Sequence, residues 1–155
     1  MGSSLMVAGK IDGVQITPLK QICVDGGDVY HAMKQNDAGY EGFGEAYFSF
    51  VHSNAVKAWK QHTSMTLNLV VPVGVVRIVM VDERIDSPTC GQFQEVTLSP
   101  ENYQRLTVPP MLWVGFQGLA DIKSMMLNMA NIVHNPKESN NKDIEEIQFD
   151  WTNKS

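Results

Sequence analysis

Cysteine is scarce in this chain: two in 155 residues, Cys23 and Cys90. Their separation matches no metal-ligand or redox spacing, so two reduced thiols without chemistry are expected. Basic clusters are missing as well. Lys and Arg number 12 against 17 Asp and Glu, a net charge of −5, and no stripe of them offers the broad phosphate contact that nucleic acid requires. No apolar run approaches the roughly 18 residues of a membrane span. The N-terminus also lacks the basic-then-apolar pattern of a secretory signal. The expectation is a soluble, cytoplasmic protein that binds neither nucleic acid nor membrane. Repeats and low-complexity tracts are absent, and helix signals are few: residues 122–132 form the one longer candidate, and its Met-rich centre reads rather as a strand.

What is present is a series of strand-like runs. The length suits one domain with a sizeable core, expected over residues 14–151. A tail at 1–13 precedes it, of which Met1-Gly2-Ser3-Ser4 has the character of a cloning remnant with Met6 as an alternative start, and 152–155 follow as a second tail. An opening strand is predicted near Val14–Ile16, followed by a glycine turn at Asp25-Gly26-Gly27-Asp28. The runs Ala46–Val51 and Val56–Trp59, with Ser53-Asn54 between them, form a hairpin candidate. Thr66–Val71 and Val75–Val81, on either side of Pro72-Val73-Gly74, form a second such pair. Phe93–Leu98, Tyr103–Val108, Leu112–Phe116 and Met125–Met129 continue at the spacing of an all-β sandwich or barrel, and residues 136–143 read as a loop.

Two runs carry chemistry. Side chains alternate along a strand, so Glu45, Tyr47 and Ser49 share one face. Lys60 and His62 share another, while Lys57 joins Trp59 unless a bulge intervenes. A carboxylate, a phenol, amines and an imidazole in one cavity are the raw material for moving a proton next to a carbonyl. Charged residues on a solvent-facing edge strand would give the same pattern. A metal centre here needs two histidines one residue apart with further donors converging on the ion, and the first of those positions is Lys60, a poor ligand; no metal is expected. His31, His52 and His134 are scattered.

The runs Phe43-Gly44-Glu45-Ala46-Tyr47-Phe48-Ser49, Val81-Asp82-Glu83-Arg84 with Ser87-Pro88-Thr89, Leu98-Ser99-Pro100-Glu101-Asn102-Tyr103 and Val108-Pro109-Pro110 with Gly115-Phe116 resemble the dTDP-4-dehydrorhamnose 3,5-epimerase family, from about Gly27 to Trp151. The resemblance implies an all-β, cupin-type jelly-roll β-barrel, a homodimer, a nucleotide-linked sugar as substrate, and no cofactor. In the family an arginine contacts the phosphates, and Lys57 keeps that charge. The family's catalytic histidine corresponds to Lys60, its enolate-stabilising lysine to Asn68, and its proton-returning tyrosine falls near Val133 or His134. Asp150 lies near the acid that orients the histidine. The chain is similar to a divergent branch in which Lys-Ala-Trp-His-x-His is common, and it retains His62 from that pattern.

The expected activity is therefore epimerisation or isomerisation of a 4-keto-6-deoxy sugar. Lys60 or His62 is the base, Lys60 the oxyanion stabiliser, and Tyr47 and Glu45 take acid or orienting roles. Lys57, His31, Asn68, Trp59, His134 and Asp150 complete the substrate contacts that the resemblance implies. The alternatives are a catalytically silent sugar-nucleotide or carbohydrate-binding cupin and a keto-sugar isomerase.

Overall fold

The computed structural model describes residues 7–8 and 10–153; the remnant-like residues 1–4, the alternative start at Met6 and the end of the C-terminal tail lie outside the described residues. The strands are β1 (Val7–Ala8), β2 (Gln15–Pro18), β3 (Gln21–Ile22), β4 (Val29–Tyr30), β5 (Glu45–Val51), β6 (Val56–His62) and β7 (Leu67–Val73). They continue with β8 (Val76–Asp82), β9 (Phe93–Leu98), β10 (Gln104–Val108), β11 (Leu112–Gly118), β12 (Ser124–Ala130) and β13 (Ser139–Asn141). Helix is confined to two 3-10 turns, Pro136–Glu138 and Ile144–Glu146. No helix among the described residues is long and apolar enough to cross a membrane.

The protein is an all-β jelly roll. Six strands in the order β1-β2-β10-β7-β12-β5 face five in the order β13-β6-β11-β8-β9, and β3 and β4 form a separate two-stranded ribbon. Strand alternation explains the layering: Leu67, Leu69 and Val71 of β7 point between the sheets to meet Ile78, Met80, Leu112 and Val114. Burying each such side chain stabilises the fold by roughly 1.5–3 kcal/mol. β8 is buried along its whole length, because its second face is covered by the C-terminal segment, where Ile147 and Trp151 pack with Trp59, Val79, Val81 and Trp113. A third cluster, around Val70, Tyr103 and Met129, lies on the outer face of the six-stranded sheet.

Three sequence expectations are corrected. The runs 46–51 and 56–59 are strands, but not a hairpin: β5 pairs with β12 at the edge of one sheet, and β6 lies between β11 and β13 in the other. The runs 66–71 and 75–81 likewise part into opposite sheets, β7 beside β10 and β12 and β8 beside β9 and β11. A polar or glycine turn marks a reversal of the chain and does not say whether the returning strand pairs or crosses to the facing layer. At Gly74, with φ of +89°, a Cβ would collide with Ser124, so the corner is both left-handed and pressed against the neighbouring strand. The segment expected as a loop at 136–143 contributes a 3-10 turn and β13, which adds to the edge of β6.

Candidate active site

The crossing from β5 to β6 sets these strands on opposite walls of a cleft between the sheets. Its volume is about 510 Å³, and its polar lining includes Tyr47, Ser49, Lys57, Lys60, Asn128 and Asn141, with Trp59 beside them. Lys57 and Lys60 share this wall through a bulge. Opposite β11, Lys60 pairs with Val114 and Lys57 with Phe116, so three positions of β6 are matched to two of β11. The extra residue returns Lys57 to the inner face that Lys60 already occupies. Gly115 sits at the bulge because a Cβ there would lie 2.8 Å from Ala58 and 2.9 Å from Trp151. Among the described residues, neither lysine amine has a hydrogen-bond or ion-pair partner, whereas Lys142 is held by Glu83 at 3.2 Å and lies over the Trp113 ring.

Across the cleft, Tyr47 is 42% exposed. Burial, and next the carboxylate of Glu45, push its phenol up from the ordinary value, so it carries its proton at neutral pH. Glu45 accepts from the main-chain N–H of His134 at 3.2 Å; it lies on the same face as Tyr47 but outside the cleft lining.

His62, two positions beyond Lys60, is also outside that lining. Its Nδ1 lies 2.8 Å from Glu138, which also accepts the main-chain N–H groups of Ser64 at 2.9 Å and Met65 at 2.8 Å. Burial pushes the Glu138 carboxyl up, but the imidazole and the two amides outweigh it and hold the group below the ordinary glutamate range. A carboxylate only accepts, so Nδ1 is the donor, and Nε2 is the ring nitrogen left open. Among the described residues nothing is bonded to Nε2. Sequence reading missed Glu138, which lies 76 positions away in a segment expected to be loop. Asn128 and Ser49 were missed as site residues too, although alternation had put Ser49 on the Tyr47 face.

Four of the expected contacts, Asn68, Asp150, His31 and His134, lie outside the lining of this cleft. Asn68 faces the outer side of its sheet, where it donates to the Gly39 carbonyl at 3.0 Å and accepts from Arg105 and Thr107; its inward neighbours Leu67 and Leu69 are core. Asp150 is exposed on the outer face of the other sheet and accepts from Thr152, because the closing segment packs behind β8 and not over the cleft. There the Thr152 hydroxyl and amide lower its carboxyl. His31 follows the β3–β4 ribbon, its carbonyl accepting from Tyr103 at 2.7 Å beside the outer cluster. His134 is exposed, and its main chain reaches the site only through Glu45. Among the described residues, no three His, Cys, Asp or Glu side chains are grouped as a metal site.

Comparison with known proteins gives these walls a lineage. The family model described as dTDP-4-dehydrorhamnose 3,5-epimerase matches residues 27–155. The crystal structure of a dTDP sugar isomerase from Desulfovibrio desulfuricans G20 superposes with a TM-score of 0.91 and 38% identity, over 96% of this chain and 97% of that one. The probable low-salt glycan biosynthesis epimerase Agl13 of Haloferax volcanii is 27% identical over 106 residues, 68% of this chain and 66% of that protein, just under two thirds of its length. The spore coat polysaccharide biosynthesis protein SpsL of Bacillus subtilis is 26% identical over 145 residues, 91% of this chain and 96% of that one. With most of its length matched by the family model and its whole fold shared with a solved sugar isomerase, the chain belongs to the dTDP-4-dehydrorhamnose 3,5-epimerase family.

Proposed function

We propose that this protein is a metal-independent nucleotide-sugar epimerase that inverts a carbon next to the 4-keto group of a 4-keto-6-deoxy sugar. The observation that carries the reading is the opposition of a protonated phenol, Tyr47, to two unpaired amines, Lys57 and Lys60, on facing walls of one cleft. Inversion requires a proton to leave one face of the carbon and return to the other, and opposed walls supply the two directions. In this reading Lys57 binds the phosphates and Lys60 stabilises the enolate oxygen, since neither Asn68 nor any inward residue of β7 offers a cation there. His62, oriented through Nδ1 by Glu138, takes the proton at Nε2, and Tyr47 returns one. Trp59, fully buried, braces the wall from behind and does not itself touch the sugar.

A second reading makes Lys60 itself the base, favoured by its place on the cleft wall while His62 stands beside it. Solvent deuterium wash-in separates the two. Under the first reading His62→Ala abolishes exchange and Lys60→Ala weakens it. Under the second, Lys60→Ala abolishes exchange and His62→Ala is near silent. Should both variants retain full exchange, neither residue is the base.

We also propose a homodimer, and with it a single jelly-roll domain over 14–151. Ile22 and Val29 of the β3–β4 ribbon and Val24 in the loop between its strands are 40%, 50% and 51% exposed, an apolar surface that a second copy would cover.

A further inference from the structure

We infer that Asn128 and Ser49 together read one hydroxyl of the sugar ring, and so fix which ring carbon meets the Tyr47 phenol; the inference rests on the nucleotide-sugar reading above. Asn128 is 4% exposed and lines the cleft with Ser49 and Tyr47. It is the cross-strand partner of Tyr47 in the β12–β5 ladder, and side chains so opposed have Cβ atoms roughly 5 Å apart. Its amide nitrogen donates to Ser49 Oγ at 2.9 Å and to the Met126 carbonyl at 3.2 Å. A carbonyl only accepts, so this pair of bonds fixes the orientation of the amide and occupies both N–H groups.

Oδ1 of Asn128 is thereby left without a donor among the described residues, yet it is not one of the fully enclosed atoms that lack a partner. It is therefore reached from the cleft. Ser49 Oγ, accepting from Asn128, keeps its own O–H to give. One acceptor and one donor side by side match a hydroxyl, which gives one hydrogen bond and takes another. A carbonyl at that point would set oxygen against Oδ1, and a methylene would leave both groups unpaired. A hydroxyl seated here holds its neighbouring carbon under the phenol, which makes the pair specificity-determining.

The test is a calorimetric titration of the full chain with dTDP, dTDP-6-deoxy-D-glucose and the 2-deoxy and 3-deoxy analogues of that sugar. Wild type should bind the parent sugar about tenfold more tightly than one of the two analogues, the discrimination a single hydroxyl seated by a donor and an acceptor provides. Asn128→Leu and Ser49→Ala should each shrink the preference to within about twofold, while binding dTDP alone as wild type does. Equal affinity of wild type for all three sugars overturns the inference with no variant needed, as does a preference that survives Ser49→Ala even where Asn128→Leu does not fold. Failure of dTDP itself to bind wild type overturns the nucleotide-sugar reading and this inference with it. Binding of dTDP with no hydroxyl preference overturns only this inference.

Discussion

His62 and Glu138 stand 76 positions apart in the chain and 2.8 Å apart in space, and their pairing sets a pH signature. The Glu138 carboxyl is held lower in the fold than in the unfolded chain. Its contribution is therefore complete above the unfolded glutamate value, about 4.3, and is lost as the pH falls through the lower folded one. The buried Asp82 carboxylate behaves alike: burial raises it, but bonds from Arg84, Ser87 and Thr89 bring it well below the usual range. Urea unfolding of wild type should give constant stability between about pH 5 and 7 and a decline below about pH 4. Glu138→Gln should lower stability at pH 7 by about 2 kcal/mol, the scale of hydrogen bonds to a charged group, and flatten part of the acid decline. A variant with an unchanged acid limb would show that the pair does not form. In wash-in kinetics the same variant should lower kcat with KM little changed, because it disturbs the orientation of the base and not the grip on the nucleotide.

At the scale of elements, the bulge of β6 decides whether the two amines meet. Gly115→Ala would press a methyl group onto Ala58 and Trp151, and overpacking of this kind costs about 1–3 kcal/mol. It should also displace Lys57 and weaken dTDP binding, whereas Gly26→Ala, strained by its φ of +86° but outside the cleft lining, should leave binding unchanged. Retained binding in Gly115→Ala would mean that the bulge does not serve the site.

The elements also show what a sequence discloses. Alternation in the run from Glu45 to Val51 put Glu45, Tyr47 and Ser49 on one face, and the structure keeps them there, with Val51 in the inter-sheet core. The period-two signal is local and needs only the strand itself. The partner of that strand was not legible, because Ser53-Asn54 serves a sheet-to-sheet crossing as well as a hairpin. Glu138 was invisible for a related reason: its role depends on β13 docking beside β6, a long-range pairing that three polar residues, Ser139, Asn140 and Asn141, do not announce. Asn68 was named through the resemblance alone, and alternation along β7 turns its side chain to the outer face between the core residues Leu67 and Leu69.

On the scale of the whole molecule, two sheets hold a cleft open on one side while the C-terminal aromatic residues brace the wall behind it. Trp59 joins the cleft wall to that brace: it belongs to the strand that lines the cleft, donates to the Ile144 carbonyl at 3.2 Å, and packs 5.4 Å from the Trp151 ring centroid. The proposed assembly is measurable by light scattering during size exclusion, where a mass of twice 17.3 kDa is expected and the single value would exclude the dimer at that concentration. The central claim is that opposed walls move a proton next to a ketone, and the most direct measurement is incubation of wild type with dTDP-4-keto-6-deoxy-D-glucose in deuterated water, followed by mass and NMR analysis of the sugar. Deuterium entering at C3 or C5 under wild type, and lost in His62→Ala or Lys60→Ala, is the predicted result. Tight binding of the nucleotide sugar with no deuterium at either carbon would contradict the claim and make the protein a sugar-nucleotide binder.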